Sequence, residues 1–207
     1  TTKELWWDEL NRIILQNNQL PEKIFLEYEN TSGNKKYVFS TKDKGELFII
    51  LHDILKFSSL EVRNRTLRSL RIQTNKIEVK DLQNRMMKYE EIQKMSQSPL
   101  VTIGAHTINH ISLGVQSIDS QQNEIQQSKK ILENISSTPV HYFAYPYGTT
   151  KDFTKDTVNI VKDAGFKLGF VNYHGFAVAK THQYKIPRIL VHNYLPNYLN
   201  IIINKSF

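Results

Sequence analysis

The sequence predicts an α/β protein, and three observations carry that prediction. After Pro99, short apolar runs alternate with segments of helical periodicity, which is the pattern of a parallel sheet or an α/β barrel. Before Pro99 the texture is different: helices and one extended pair, which read as an insert beside the barrel. The later part offers only about four core strands. An open parallel sheet of that size would leave long edges and an uncovered face. The layout therefore reads as the later part of an incomplete barrel whose first strands are not in this sequence. Residues 1–98 form the helical and hairpin region and residues 99–207 the later strands and helices, within one structural domain.

The elements follow in order. Thr1 and Glu4 have capping-box spacing and read as the beginning of a helix rather than a leader. Trp6, Leu10 and Ile13 then share one helical face. Residues 23–28 and 35–40 form an extended pair around the polar segment 29–34, a hairpin with a longer loop. Leu47, Ile50, Leu51, Ile54 and Leu55 recur at helical spacing. Residues 58–61 (Ser-Ser-Leu-Glu) form a second capping box, opening a helix with Leu67 and Leu70. Val79, Leu82 and Met86 mark a further helix, and Ile92 and Met95 a short one.

Residues 100–103 are a short apolar run ending at Gly104, hence a strand. Residues 117–135 are a helix with Ile125, Ser128, Leu132 and Ile135 on its inner face. Residues 141–145 are a strand broken by Pro146; Thr154 caps a helix carrying Val158 and Val161 that stops at Gly165. Residues 167–171 and 186–191 are strands, and Pro196 suits the first turn of a last helix.

The chain has 207 residues, 40% hydrophobic and 23% charged, enough to bury a core in one domain. No apolar run approaches the ~20 residues that span a bilayer. Cysteine is absent, which excludes disulfides, thiolate zinc sites and thiol nucleophiles and leaves the compartment open. Any metal must be held by His, Asp or Glu. The formal charge of +7 allows an anionic partner without establishing one. Arg63, Arg65, Arg68 and Arg71 read as a solvated helix face rather than a nucleic-acid stripe, so no nucleic-acid partner is expected. His52, His141, His174 and His182 lack partners at useful spacing.

Two stretches carry chemistry. Residues 100–110, LVTIGAHTINH, place a strand, a small-residue break and then two histidines four apart. On a helical turn, His106 and His110 would face the same way and share one metal. The glutamate of the helical metalloprotease pattern is missing, and two ligands fall short of the three of a catalytic zinc. The alternative is a pair of surface or capping histidines. Residues 143–148, FAYPYG, end a strand in a Pro-Tyr-Gly turn that exposes backbone N–H groups, which can stabilise an oxyanion. The alternative is an ordinary turn.

Together, GAHTxxH and FAYPYG resemble the polysaccharide deacetylase family, the NodB-homology domain of carbohydrate esterase family 4. Trp6-Trp7-Asp8-Glu9-Leu10, Ser98-Pro99-Leu100, Ala164-Gly165-Phe166 and Ile186-Pro187-Arg188-Ile189 agree with that resemblance, which is strongest over residues 89–191. It implies a distorted (β/α) barrel and a metal-dependent hydrolase that uses a metal-bound water to remove acetyl groups, usually N-acetyl, from sugars. It implies that His106 and His110 bind a divalent metal, usually zinc, and that Thr107 braces their loop. It implies that the N–H of Tyr147 helps hold the oxyanion, with Tyr145 and Pro146 beside the substrate.

The departures are specific. The family's TFDDG motif, which carries the general base and the third metal ligand, is absent. Asp53, the nearest imitation, reads as an exposed helical residue. Ala144 stands where the third motif commonly has an arginine, and Arg188 is the candidate to supply that charge. Leu190-Val191-His192 has the Leu-x-His form of the fifth motif, which makes His192 a candidate general acid, with a strand-end histidine as the alternative. The fourth motif has no clear match.

The expected function is a polysaccharide deacetylase whose chain is inactive alone. Its expected partners are an acetylated glycan and either a second copy or a companion N-terminal fragment across the open edge. A non-catalytic carbohydrate-binding domain is the alternative. Cell envelope and cytoplasm both remain open as compartments.

Overall fold

The computed structural model describes residues 4–30, 33–75 and 85–189, with side chains 28–30 and 33–35 excepted. Two compact units divide between Glu91 and Ile92.

In the first unit, α1 (Trp6–Ile14) buries Trp6, Leu10, Ile13 and Ile14. Its N-cap is Leu5, so the predicted Thr1/Glu4 capping box does not open it. Glu4 pairs instead with Arg12, two turns along, and Thr1 lies outside the described residues. Strands β1 (Lys23–Asn30) and β2 (Gly33–Ser40) form an antiparallel hairpin whose ladder reaches Asn30↔Gly33. The pairing thus extends further into the polar segment than the sequence suggests. Backbone pairing needs no apolar side chain, so polar composition alone did not end the strands.

Gln73 covers part of the β1 edge. Its Oε1 accepts from Phe25 N–H at 2.8 Å and its Nε2 donates to Phe25 O at 2.7 Å, as a neighbouring strand would. Helix α2 (Lys44–Lys56), capped by Asp43, buries Leu47, Leu51 and Leu55. Helix α3 (Leu60–Gln73) buries Leu67 and Leu70. Its cap is Ser59, which accepts from Val62 N–H, whereas Ser58 donates to Ile54 O and so finishes α2. The arginine stripe of α3 is not simply solvated. Arg63 is buried with its guanidinium 5.4 Å from the Trp6 ring centre, and Arg71 lies 3.0 Å from Glu9.

Helix α4 (Tyr89–Ser96) spans the division. The helix predicted around Val79 and Leu82 lies outside the described residues, and Met86 is not helical.

The second unit is the α/β part. A 3-10 turn (Leu113–Val115) leads into α5 (Ile118–Ser136), capped by Ser117. Strand β3 (Tyr142–Ala144), helix α6 (Lys155–Asp163) and strand β4 (Leu168–Phe170) follow. Thr154 and Thr157 form a reciprocal capping box on α6, and Gly165 stops the helix at φ +78°. Strands β3 and β4 pair in parallel, Phe143 opposite Gly169. Single parallel bridges extend the row on both sides, Ala105↔Phe143 and Phe170↔Ile186. Ala105, β3, β4 and Ile186 therefore lie side by side in chain order. No closed sheet forms among the described residues.

The predicted strand 100–103 is not a strand. Val101 N–H donates to Ser98 O in a turn, Leu100 is 93% exposed, and pairing begins only at Ala105. A parallel strand needs a partner along its length, and among the described residues the run 100–103 has no ladder partner. The predicted strand 186–191 is likewise one bridge as far as residue 189; the rest of it and the helix after Pro196 lie outside the described residues.

Strand alternation separates two faces. Ala105, Phe143, Tyr145 and Val171 are buried, with Phe166 tilted against the Phe143 ring and Phe153 stacked on the Tyr145 ring. Gly104, His106, Tyr142, Ala144, Leu168 and Phe170 face the other way and line an open groove of about 530 Å³. No helix among the described residues is long and apolar enough to cross a membrane.

Urea unfolding monitored by circular dichroism tests this placement. Phe143→Ala is expected to cost ~3–5 kcal/mol as a buried-core truncation. Leu100→Ser is expected to stay within ~0.5 kcal/mol of the parent, as an exposed site does. A loss of several kcal/mol at Leu100 would restore it to the core.

Candidate functional site

Ala105 is the last paired residue before the histidine loop. Its N–H donates to Tyr142 O at 2.8 Å and its carbonyl accepts from Ala144 N–H at 2.9 Å. His106 follows at the carboxyl end of the parallel strands, where α/β enzymes assemble their sites. Its Nδ1 lies 2.7 Å from Ala144 O. A carbonyl can only accept, so Nδ1 carries the proton and Nε2 keeps its lone pair. Burial holds the His106 pKa below the ordinary imidazole value; the bond to Ala144 opposes that shift, and the charge of Arg188 adds to it.

His110 comes back against His106, ring centres 4.7 Å apart at 80°. The predicted route, a helical turn, is not the one taken. Thr107 (φ +62°) and His110 (φ +49°) are both left-handed, and the loop between them is bent. For a β-branched threonine this is costly backbone, held only where the surroundings over-determine it. The carboxylate of Glu124, on α5, supplies part of that hold. It accepts from the N–H groups of Ile108 and Asn109, each at 2.9 Å, and from Asn109 Nδ2 at 2.6 Å. Sequence reasoning missed Glu124. Its signal was a charged residue beside Ile125 and one turn before Ser128, on the stripe that faces inward.

The second motif closes the site from β3. Gly148 N–H bonds to Pro146 O at 2.6 Å, with Tyr147 between them at φ +58°. That is the strained form of a three-residue turn. The Tyr147 ring packs on His110, centres 4.8 Å apart at 88°, and its hydroxyl lies 3.5 Å from His110 O. Gly148 is required twice over. It sits at φ +67°, and a Cβ there would stand 2.7 Å from Asn172 N.

Buried Asp152 ties this turn to the histidine segment. Its carboxylate accepts from Ser112 Oγ at 3.0 Å and from Thr149 N at 3.0 Å, and its carbonyl accepts from Gly114 N–H at 2.8 Å. It too was missed, since nothing local to it signals a partner 40 residues away.

The other expected site residues divide. Tyr145 and Pro146 are buried. The Tyr145 hydroxyl donates to Tyr184 O at 3.0 Å, and burial, with Tyr173 and Tyr184 nearby, raises its pKa. Strand alternation turns Tyr145 into the core with Phe143. Arg188 is exposed, with Nε donating to Val171 O at 2.9 Å and its charge felt at His106. Asp53 is an exposed residue of α2, as its periodicity suggested. His192 lies outside the described residues. Among the described residues no group of three or more His, Cys, Asp or Glu could hold a metal.

Known proteins add the family. A profile described as Polysaccharide deacetylase matches residues 14–169. YxkH of Bacillus subtilis, which carries the name of a polysaccharide deacetylase, is 26% identical over 102 residues, 49% of this chain and 35% of that protein. The Streptococcus pyogenes deacetylase PplD, solved with acetate, is similar at 25% identity and TM-score 0.51, over 59% of this chain and 51% of that one. The Bacillus cereus polysaccharide deacetylase BC0361 is similar in fold, with TM-score 0.51 and 15% identity over 87% of this chain and 77% of its own. The chain thus spans about half of PplD and about a third of YxkH. The likeness gives the α/β part the (β/α) barrel fold of these deacetylases, without a closed sheet among the described residues. With the profile covering well over half of its residues, this chain belongs to the polysaccharide deacetylase family.

Proposed function

We propose that this chain supplies the metal-binding histidines and the oxyanion turn of a carbohydrate deacetylase that releases acetyl groups from N-acetylated sugars. One observation carries the reading. The His106–His110 pair, with Nε2 of His106 left as a lone pair, meets the Pro-Tyr-Gly turn at the carboxyl end of the same parallel strands. A pair of imidazoles fits a divalent cation, zinc first. When bound, such a cation supplies Lewis-acid polarisation and activates a water.

The chain's own groups do the rest. Ala144 O fixes the His106 tautomer and ring. Tyr147 offers its N–H to the acetyl oxygen, where charge develops on attack. Arg188 adds positive charge beside His106. His192 is assigned delivery of a proton to the leaving amine.

A base and a third ligand are still needed. The sequence has no TFDDG motif, and the described residues offer no third ligand. We propose that aspartates from another segment or a companion chain complete the site across the groove, and that the 207-residue chain is inactive without them. A glycan-binding domain without catalysis is the second reading, favoured by that same two-ligand set.

Calorimetric titration with zinc is expected to show weak binding that both His106→Ala and His110→Ala remove. Heat unchanged in both variants would sink the metal assignment. Acetate release from acetylated chitooligosaccharides with added zinc is expected to be no greater than that of His106→Ala. Robust turnover that His106→Ala abolishes would show that the chain already holds its base.

A pH dependence follows from the buried imidazole. The folded His106 binds its proton less readily than the unfolded one. As pH falls through about 6.5, the unfolded chain takes up more protons, and the stability of the metal-free protein falls. His106→Asn keeps an amide donor for Ala144 O but cannot titrate, so the acid-side loss in urea midpoint between pH 7 and 5 is expected to shrink. An unchanged profile would contradict the burial argument.

A further inference from the structure

We propose that Glu124 is the positioning residue of the histidine loop: its carboxylate sets the bend that brings His110 against His106. The proposal rests on reading those histidines as ligands, and it concerns a residue outside both motifs.

Glu124 is 4% exposed. A buried carboxylate is costly unless its charge is met. Here it forms no ion pair among the described residues. All its hydrogen bonds go to the two residues midway between the histidines. Oε2 takes the successive N–H groups of Ile108 and Asn109, and Oε1 takes Asn109 Nδ2. Successive N–H groups converging after a left-handed residue form a concave anion seat. The left-handed residue is Thr107, whose Oγ1 is buried without a hydrogen-bond partner.

The loop therefore has little of its own to hold it. Left-handed Thr107 and His110 are unfavourable at both ends, and the bonds from Glu124 grip the middle. Release of that grip frees Thr107 to return to an extended backbone, and a change of φ there swings His110 away from His106. The hydrogen bonds of the carboxylate go to Ile108 and Asn109 and to neither ring. Its effect on a metal is through the distance between the two imidazoles.

The side-chain pair offers a swap that separates positioning from simple stability. Glu124→Ala removes all three acceptor bonds. Asn109→Asp sets a carboxylate against a carboxylate. Glu124→Gln with Asn109→Asp restores a complementary pair, the glutamine Nε2 donating to the aspartate while its oxygen still accepts from the backbone.

The experiment uses the 207-residue chain. Nuclear Overhauser contacts between the His106 and His110 ring protons are measured without metal, and cobalt(II) affinity is measured by visible absorption. The wild type is expected to show the ring contact. Glu124→Ala and Asn109→Asp are expected to lose it and to weaken cobalt binding roughly tenfold or more, the range for groups that orient ligands. The double variant is expected to regain both, which also covers the case in which Glu124→Ala fails to fold. Persistence of the ring contact in Glu124→Ala, or failure of the folded double variant to regain it, would overturn the proposal. If the ring contact follows the swap but cobalt binds no variant, Glu124 still positions the loop and the ligand reading is what fails.

Discussion

The site depends on one short junction. Ala105 pairs with β3 through two backbone bonds, and the next side chain, His106, returns to the carbonyl of Ala144 on that strand. Three bonds thus tie the histidine loop to the strand that runs into the Pro-Tyr-Gly turn. Each motif is placed by the other. Loss of the Ala105 pairing would free both the first histidine and its tautomer, because the Ala144 carbonyl is what keeps the proton on Nδ1. The same carbonyl explains how a side chain with a depressed pKa remains useful: burial keeps the ring neutral, and the bond aims its lone pair away from the strand.

Backbone strain is concentrated at this junction. Thr107, His110 and Tyr147 are left-handed although none is glycine, and each would relax if released. What restrains them is a pair of buried carboxylates, one for each loop. Glu124 holds the loop between the histidines, and Asp152 holds the Tyr147 turn against Ser112 and Gly114. Charge-assisted bonds from carboxylate to backbone N–H are roughly twice as strong as neutral ones and suit this task. The core beneath, Phe143 packed on Phe166 and Tyr145 stacked on Phe153, gives the strands a fixed base.

What was legible in the sequence was local. Helices α1, α5 and α6 follow apolar periodicity, and the caps of α5 and α6 lie within a few residues of the turns they close. What was not legible depends on partners far along the chain. The run 100–103 has strand composition, but pairing is decided by neighbours, and only Ala105 finds one. The histidines could be paired from their spacing, yet the bend that pairs them is fixed by a glutamate 14 residues beyond His110. Tyr145 and Tyr147 look alike in FAYPYG. Alternation from buried Phe143 would have sent Tyr145 inward and left only Tyr147, past the proline, near the site.

The electrostatics of the groove argue for what completes it. The parity that puts His106, Ala144 and Phe170 on one face carries through the Phe170↔Ile186 bridge to Arg188. The guanidinium lowers the His106 pKa, so it repels a proton there, and it would repel a divalent cation by the same field. Imidazole ligands would give coordination but no negative charge to offset that repulsion. Glu124 and Asp152 cannot supply it, because their oxygens are committed to the two loops. A carboxylate entering the groove would do three things at once: coordinate the cation, neutralise it, and form an ion pair with Arg188. Ala144, small and half-buried beside His106, leaves room for that approach. On the proposed reading, coordination and charge balance would call for the same group, an acidic side chain standing between Arg188 and the cation.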